Sequence, residues 1–182
     1  MLTYETIILL LIFILPVYLA NAAPVMFKEL LSKAKSKHAP MDFKAKFYDS
    51  RRILGKGKTW AGFFVGILTG TIVGIIIAKS GVVELYPSQD LHILSALLLS
   101  TGAMCGDAVG SFIKRRLKFG SGKPFYVVDQ LSFFLTSILF VLPIRPEVLN
   151  IVGFIFLFVI TIILHVLTNI FAYKIGLKKV PW

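Results

Sequence analysis

Two aspartates stand where an apolar chain can least accommodate them. Asp107 lies within Gly106-Asp107-Ala108-Val109-Gly110-Ser111-Phe112-Ile113-Lys114-Arg115, the polar end of a hydrophobic stretch, and Asp129 opens the next stretch just after Lys123-Pro124. Asp107, Ser111 and Lys114 are spaced i, i+4, i+7, so a helix carries them on one face. An Asp in an apolar span costs about 2.5–3.5 kcal/mol on insertion scales, which demands either a basic partner such as Lys114 or a bound divalent cation. Two hard carboxylates suit Mg²⁺, which keeps several waters and completes its shell with substrate phosphates. Asp107 and Asp129 are therefore candidate metal ligands and, with Lys114, candidate catalytic residues. His38, His92 and His165 are scattered, so there is no zinc-type cluster and no Ser-His-Asp arrangement. The chemistry left is phosphoryl or nucleotidyl transfer, which needs a metal, cations and positioned phosphates but no obligatory base.

A second polar constellation, Asp49-Ser50-Arg51-Arg52-Ile53-Leu54-Gly55-Lys56-Gly57-Lys58-Thr59, runs directly into an apolar stretch. Gly55 and Gly57 permit tight turns, and Thr59 can cap the helix that starts there. A helix N-terminus with free N–H groups among Lys and Arg binds phosphate by its dipole and its donors. Gly57-Lys58-Thr59 ends like a P-loop, but position 52 is Arg where that loop needs Gly, which excludes a P-loop nucleoside triphosphatase. On charge alone the segment also reads as an ordinary basic flank of a membrane span. If the two constellations form one site, Arg52, Lys58, Lys114 and Arg115 converge on the phosphates.

Positioning these residues requires a membrane. Hydrophobic residues are 57% of the 182, too many for a soluble globule of this size. Five apolar stretches, about 2–20, 60–78, 91–105, 125–142 and 149–173, approach the roughly 20 residues that cross a 30 Å core. The third lengthens to Ile113 if Gly106, Asp107 and Ser111 are tolerated inside it. Eighteen of the 20 Lys and Arg residues fall in the first, third and fifth connections. The positive-inside rule then puts the N-terminus outside and the C-terminus in the cytoplasm. The expected fold is an all-α integral membrane protein of five transmembrane helices, a single domain over 1–182, with two functional cytoplasmic loops. The net charge of +11 belongs to juxtamembrane cations facing anionic headgroups, not to a nucleic-acid site.

Smaller features follow from the same reading. Residues 26–38 suit a short interfacial helix. Pro24 is expected to end the first helix, leaving carbonyls and the Asn21 side chain free at the depth of the site. Asn21 and Pro24 are candidates for shaping its entrance or base pocket. Gly62, Gly66, Gly70 and Gly74 form a bare stripe for helix packing, with Gly62 also able to approach a ligand. Cys105, the single cysteine, reads as packing. His165 and Asn169 share a face and suit an interhelical hydrogen-bond pair. A small transporter or channel for an anionic solute is the alternative class, but it needs polar residues along a path, and the charge here gathers at one end.

At these residues the chain resembles a known family. Asp107…Ser111-x-x-Lys114-Arg115…Lys123…Asp129 is similar to the C-terminal signature of CDP-diacylglycerol synthases (phosphatidate cytidylyltransferases). The smaller archaeal CDP-archaeol synthases are matched more closely, through Asn21-Ala-Ala-Pro24-Val, Asp49…Arg52-Ile-Leu-Gly55-x-Gly57-Lys58-Thr59-Trp-x-Gly62 and Gly106-Asp107-x-x-Gly110-Ser111. Where the bacterial and eukaryotic pattern ends Asp-Arg-x-Asp, this chain has Asp129-Gln130-Leu131-Ser132, one carboxylate fewer. The resemblance implies a Mg²⁺-dependent cytidylyltransferase of the cell membrane. Its reaction joins CTP and 2,3-di-O-geranylgeranylglyceryl phosphate, an isoprenoid ether-lipid phosphate, into CDP-archaeol and pyrophosphate. It also implies that Asn21, Pro24, Asp49, Arg52, Gly55, Gly57, Lys58, Thr59, Gly62, Ser111, Arg115 and Lys123 contact substrate.

Overall fold

In hydrocarbon a backbone must satisfy its own hydrogen bonds, so apolar runs of this length become helices. The computed structural model describes residues 2–27, 39–120 and 125–176, and these form five helices and no strand. They are α1 (Tyr4–Met26), α2 (Trp60–Ser80), α3 (Gln89–Arg116), α4 (Tyr126–Val141) and α5 (Ile151–Lys174). All but α4 are long and apolar enough to cross a membrane. Helix α4 has 16 residues, about 24 Å at 1.5 Å per residue, and a 3₁₀ turn at Leu142–Ile144 prolongs it. The segment expected as an interfacial helix falls mostly outside the described residues, as does Lys123.

Capping sets the starts. Thr3, Thr59, Ser88 and Asn150 each accept a first-turn N–H of the helix that follows. Helix α2 stops at Gly81, which takes a left-handed φ of 64° that a residue with a Cβ adopts only at a cost. Helix α3 runs without a break through Gly106, Asp107 and Ser111 and on past Ile113 to Arg116. One expectation is corrected. Pro24 does not end α1, which continues to Met26, with the Phe27 N–H bonded to the Ala23 carbonyl at 2.9 Å. Proline deprives only the Ala20 carbonyl of its helical donor, and that carbonyl is covered by α2: a Cβ on Gly66 would lie 2.8 Å from it.

Two glycine stripes bring the helices together. Gly66, Gly70 and Gly74 of α2 lie against Met104, Ser100 and Ala96 of α3, and Gly66 and Gly70 also against the Ala20 and Pro16 carbonyls of α1. On α3 itself, Gly102, Gly106 and Gly110 face Ser137, Ser132 and Val128 of α4, a stripe of small residues the sequence reading passed over. The core is centred on Leu10, Phe13, Ile14 and Val17 of α1, with Leu99 and Ala103 of α3 and Phe133 and Phe134 of α4. Helix α5 joins at its first half, through Gly153 against Leu10, Phe154 and Phe158 against Phe134, and a 2.8 Å hydrogen bond between Thr161 and Tyr18. His165 stacks on Phe133 with ring centroids 5.7 Å apart.

Candidate active site

Both sets of candidate residues meet at one end of the bundle, where the loop 39–59 folds against the last turns of α3. The contacts Gly66–Met104, Gly70–Ser100 and Gly74–Ala96 define an antiparallel α2–α3 pair. At 3.6 residues per turn the face that carries Ala96, Ser100 and Met104 continues through Asp107, Ser111 and Lys114. Asp107 thereby emerges beside the start of α2. Lys58, one residue before the cap Thr59, forms an ion pair with Asp107. Pro24 packs near Gly62 at the same level, so α1, α2 and α3 all contribute to this depth of the bundle. Asn21 lies one turn earlier on α1 and is half-buried.

The second carboxylate is held differently. Lys114 donates to both oxygens of Asp129, at 2.8 and 2.9 Å, and the Phe125 N–H donates to Oδ2 at 3.0 Å. Asp129 thus closes the first turn of α4 and ties it to α3. Each of the two aspartates is balanced by one lysine, which answers the insertion cost expected from the sequence. All four side chains keep some exposure, from 12% for Lys114 to 33% for Asp129. Ser111 is buried on the same face of α3.

The loop 39–59 is folded by backbone pairing that is too short to count as strands. The Met41 N–H bonds to the Lys58 carbonyl at 2.9 Å, and the Trp60 N–H to the Ala39 carbonyl at 3.2 Å. Ile53 N–H reaches Ala45, and Phe47 N–H reaches Arg51. These pairings change one expectation about the helix N-terminus. With Trp60 N–H spent on Ala39 and Gly62 N–H on Thr59 at 3.2 Å, few first-turn donors of α2 remain for an anion. The cations supply the positive charge at this point, more than the helix end.

The sequence reading missed the residue on which the loop turns. Asp42 is fully buried and accepts from the Arg52 guanidinium, from Leu54 and Gly55 N–H at 3.1 and 3.0 Å through Oδ2, and from Lys44 N–H at 3.1 Å through Oδ1. Burial alone would raise its carboxyl; Arg52 and the N–H groups of Gly55, Leu54 and Lys44 outweigh burial and hold it well below the usual carboxylate range. Phe43 and Lys44 both take positive φ, 45° and 66°, at roughly 1–2 kcal/mol each, inside the turn that Asp42 closes. A lone Asp in a loop has no periodicity to betray it, and its cation, Arg52, lies ten residues away along the chain.

Arg52 is therefore engaged with Asp42 and not directed at the two aspartates. Arg116 pins the loop to α3: it donates to the Arg52 carbonyl at 2.8 Å, lies 3.4 Å from Asp49 and covers the rings of Phe47 and Phe112. Asp49 is accordingly a partner of Arg116. Gly55, at φ 98°, backs onto Arg115; a Cβ there would meet the Arg115 Nε at 3.3 Å. That Nε is buried with no hydrogen-bond partner among the described residues. Gly57 differs, since a Cβ at this position would meet nothing within 4 Å and its φ is not positive. Its lack of a side chain answers to no packing among the described residues. Among the described residues no group of three or more His, Cys, Asp or Glu is gathered for a metal.

The chain has counterparts among known proteins. A family profile described as CarS-like, CDP-archaeol synthase, matches residues 3–182. A CDP-archaeol synthase of Pyrococcus horikoshii is 45% identical over 174 residues, covering 93% of this chain and 94% of its own. One from Methanococcus aeolicus is 42% identical over 177 residues, covering 94% of both. A solved structure described as an intramembrane enzyme for archaeal membrane lipids biosynthesis superposes with a TM-score of 0.72 at 30% identity, over 88% of this chain and 92% of that one.

Proposed function

The chain belongs to the CDP-archaeol synthase family, and on that footing we propose that it transfers the cytidylyl group of CTP to an isoprenoid ether-lipid phosphate, releasing pyrophosphate. Membership makes it an enzyme, so the transporter alternative lapses. The observation that carries the reaction is the pairing of two lysines with two aspartates, one pair at the start of α2 and one between α3 and the first turn of α4. Each pair is partly exposed, and such pairs contribute at most about 1 kcal/mol, so partners are exchanged cheaply. When nucleotide phosphates arrive, Lys58 and Lys114 can turn to them and leave the carboxylates to a cation.

Asp107 and Asp129 fit Mg²⁺ in the mode that uses one or two carboxylates and substrate phosphates, since both offer hard oxygens and no fuller protein cage is gathered. Bound there, Mg²⁺ would supply charge neutralisation at the phosphates. The remaining work falls to the chain's own groups. Lys58, Lys114 and Arg115 lower the repulsion between two anionic reactants. A lipid phosphate oxygen then forms a bond to the α-phosphorus of CTP as the bridging P–O bond to pyrophosphate breaks. That oxygen is already anionic near neutral pH and needs no base. We place the site on the cytoplasmic side, where the basic loops lie by the positive-inside rule, and the lipid tails stay in hydrocarbon.

The test is direct. Purified protein is incubated with labelled CTP, Mg²⁺ and either an ether-linked isoprenoid or an ester-linked acyl glyceryl phosphate, and the products are resolved for a CDP-lipid. Label should appear in a lipid only when CTP, metal and lipid phosphate are all present. Competition by ATP, GTP and UTP reads base selectivity. Competition by ATP, GTP or UTP as strong as that by unlabelled CTP would sink the cytidine assignment while leaving nucleotidyl transfer intact.

A further inference from the structure

The geometry assigns Asp42 as a positioning residue for the nucleotide-phosphate site, acting through the loop that carries Lys58, and assigns Arg52 to Asp42 and not to substrate. This inference rests on the proposed cytidylyltransferase reaction for its kinetic readout.

Asp42 joins two stretches that would otherwise be separate. On one side it closes the Asp42–Ala45 turn, through Lys44 N–H and the Ala45 N–H on its carbonyl. On the other it gathers Arg52, Leu54 and Gly55. One residue before it, Met41 is bonded to the carbonyl of Lys58. The position of the Lys58 backbone, and hence the reach of its ammonium to Asp107, is therefore fixed by its bond to Met41, whose next residue is Asp42. From the other side, Gly55 and the Arg52 carbonyl seat the loop on Arg115 and Arg116 of α3. Two consecutive residues with side chains at positive φ persist only where surrounding contacts over-determine them, and such strain gathers at working sites. An acid so completely buried, at the centre of a loop with little apolar core, is an expensive way to hold a mere connector.

Removing its charge should loosen the loop while the helix bundle stands. Asp42→Asn is expected to raise KM for CTP by at least about tenfold, because small displacements of charge-bearing groups carry large kinetic costs. KM for the lipid phosphate should change by no more than about twofold, and the thermal midpoint in detergent should hold. Amide exchange at Met41, Leu54 and Gly55 should speed up. Asp42→Glu should recover part of the CTP affinity. Arg52→Gln should reproduce Asp42→Asn, and the double variant should be no worse than either, because both break one contact. Two results would overturn the assignment: CTP KM unchanged in Asp42→Asn despite faster exchange, or additive losses with Arg52→Gln far the worse, which would put Arg52 on the phosphates. If Asp42→Asn does not accumulate, Asp42→Glu and Arg52→Gln carry the same comparison. Wild-type protein that makes no CDP-lipid would retire the reaction, and exchange at the three amides would still decide the anchoring.

Discussion

Lys58 and Lys114 sit on two carboxylates, and in the proposed reaction each lysine would be both a placeholder for the metal and a partner of the nucleotide. Replacing Asp107 or Asp129 with Asn should lower turnover about a hundred- to thousandfold while the protein stays folded in detergent. Substantial activity in both variants would remove the metal role. Ala at Lys58 or Lys114 should cost far more than Ala at Lys33, Lys35 or Lys37, and equal losses would show that bulk charge alone matters. The Asp42 carboxyl behaves otherwise with pH. Its value is depressed in the folded protein, so its stabilising contribution is full above the ordinary carboxylate range, about 3.9, and fades only as pH falls through the lower folded value. Exchange at Leu54 and Gly55 should therefore be unaltered, once corrected for intrinsic rates, between neutral pH and about 5. A loosening over that interval would contradict the depressed carboxyl. Gly57→Ala should leave folding untouched yet weaken nucleotide binding if the bare backbone at this point meets a ligand.

Among the elements, close approach is the organising device. A Leu at Gly102 would drive into the backbone of α4, where even a Cβ would stand 2.6 Å from the Ser137 Cα, so Gly102→Leu should destabilise by at least about 1–3 kcal/mol. Detergent unfolding would measure it, and a neutral result would mean α3 and α4 are not locked in this register. How far such elements can be read in advance depends on periodicity. The long apolar runs, the stripe from Gly62 to Gly74 and the passage of α3 through Asp107 and Ser111 all repeat with the helix and were legible. Pro24 misled because a neighbouring helix, absent from a one-dimensional reading, covers the carbonyl it exposes. The partner of Arg52 was illegible for a kindred reason: a buried acid ten residues earlier is brought against it only by the folding of the loop. The loop pairings of 39–60 are single bridges, too brief to leave a pattern.

For the whole molecule, the charge asymmetry predicts an orientation that can be checked. With Cys105 replaced by Ser, a single cysteine at Lys56 should be modified by an impermeant reagent only from the cytoplasmic face, and one at Glu84 only from the other. The reverse pattern would invert the molecule. The order of contacts along the chain carries a further consequence, for biogenesis. Each of the first four helices packs chiefly on its neighbours in sequence, α2 on α1, α3 on α2, α4 on α3. A ribosome releasing the chain into the bilayer therefore adds one helix at a time to a partner already present, and little long-range searching delays assembly. Both lysine–aspartate pairs are closed once α4 has entered, before α5 leaves the ribosome. The last helix arrives at a finished centre, packing on it mainly along its first half and through His165 on Phe133, and acts as a clasp on α1 and α4 that a nascent chain can do without until that helix emerges.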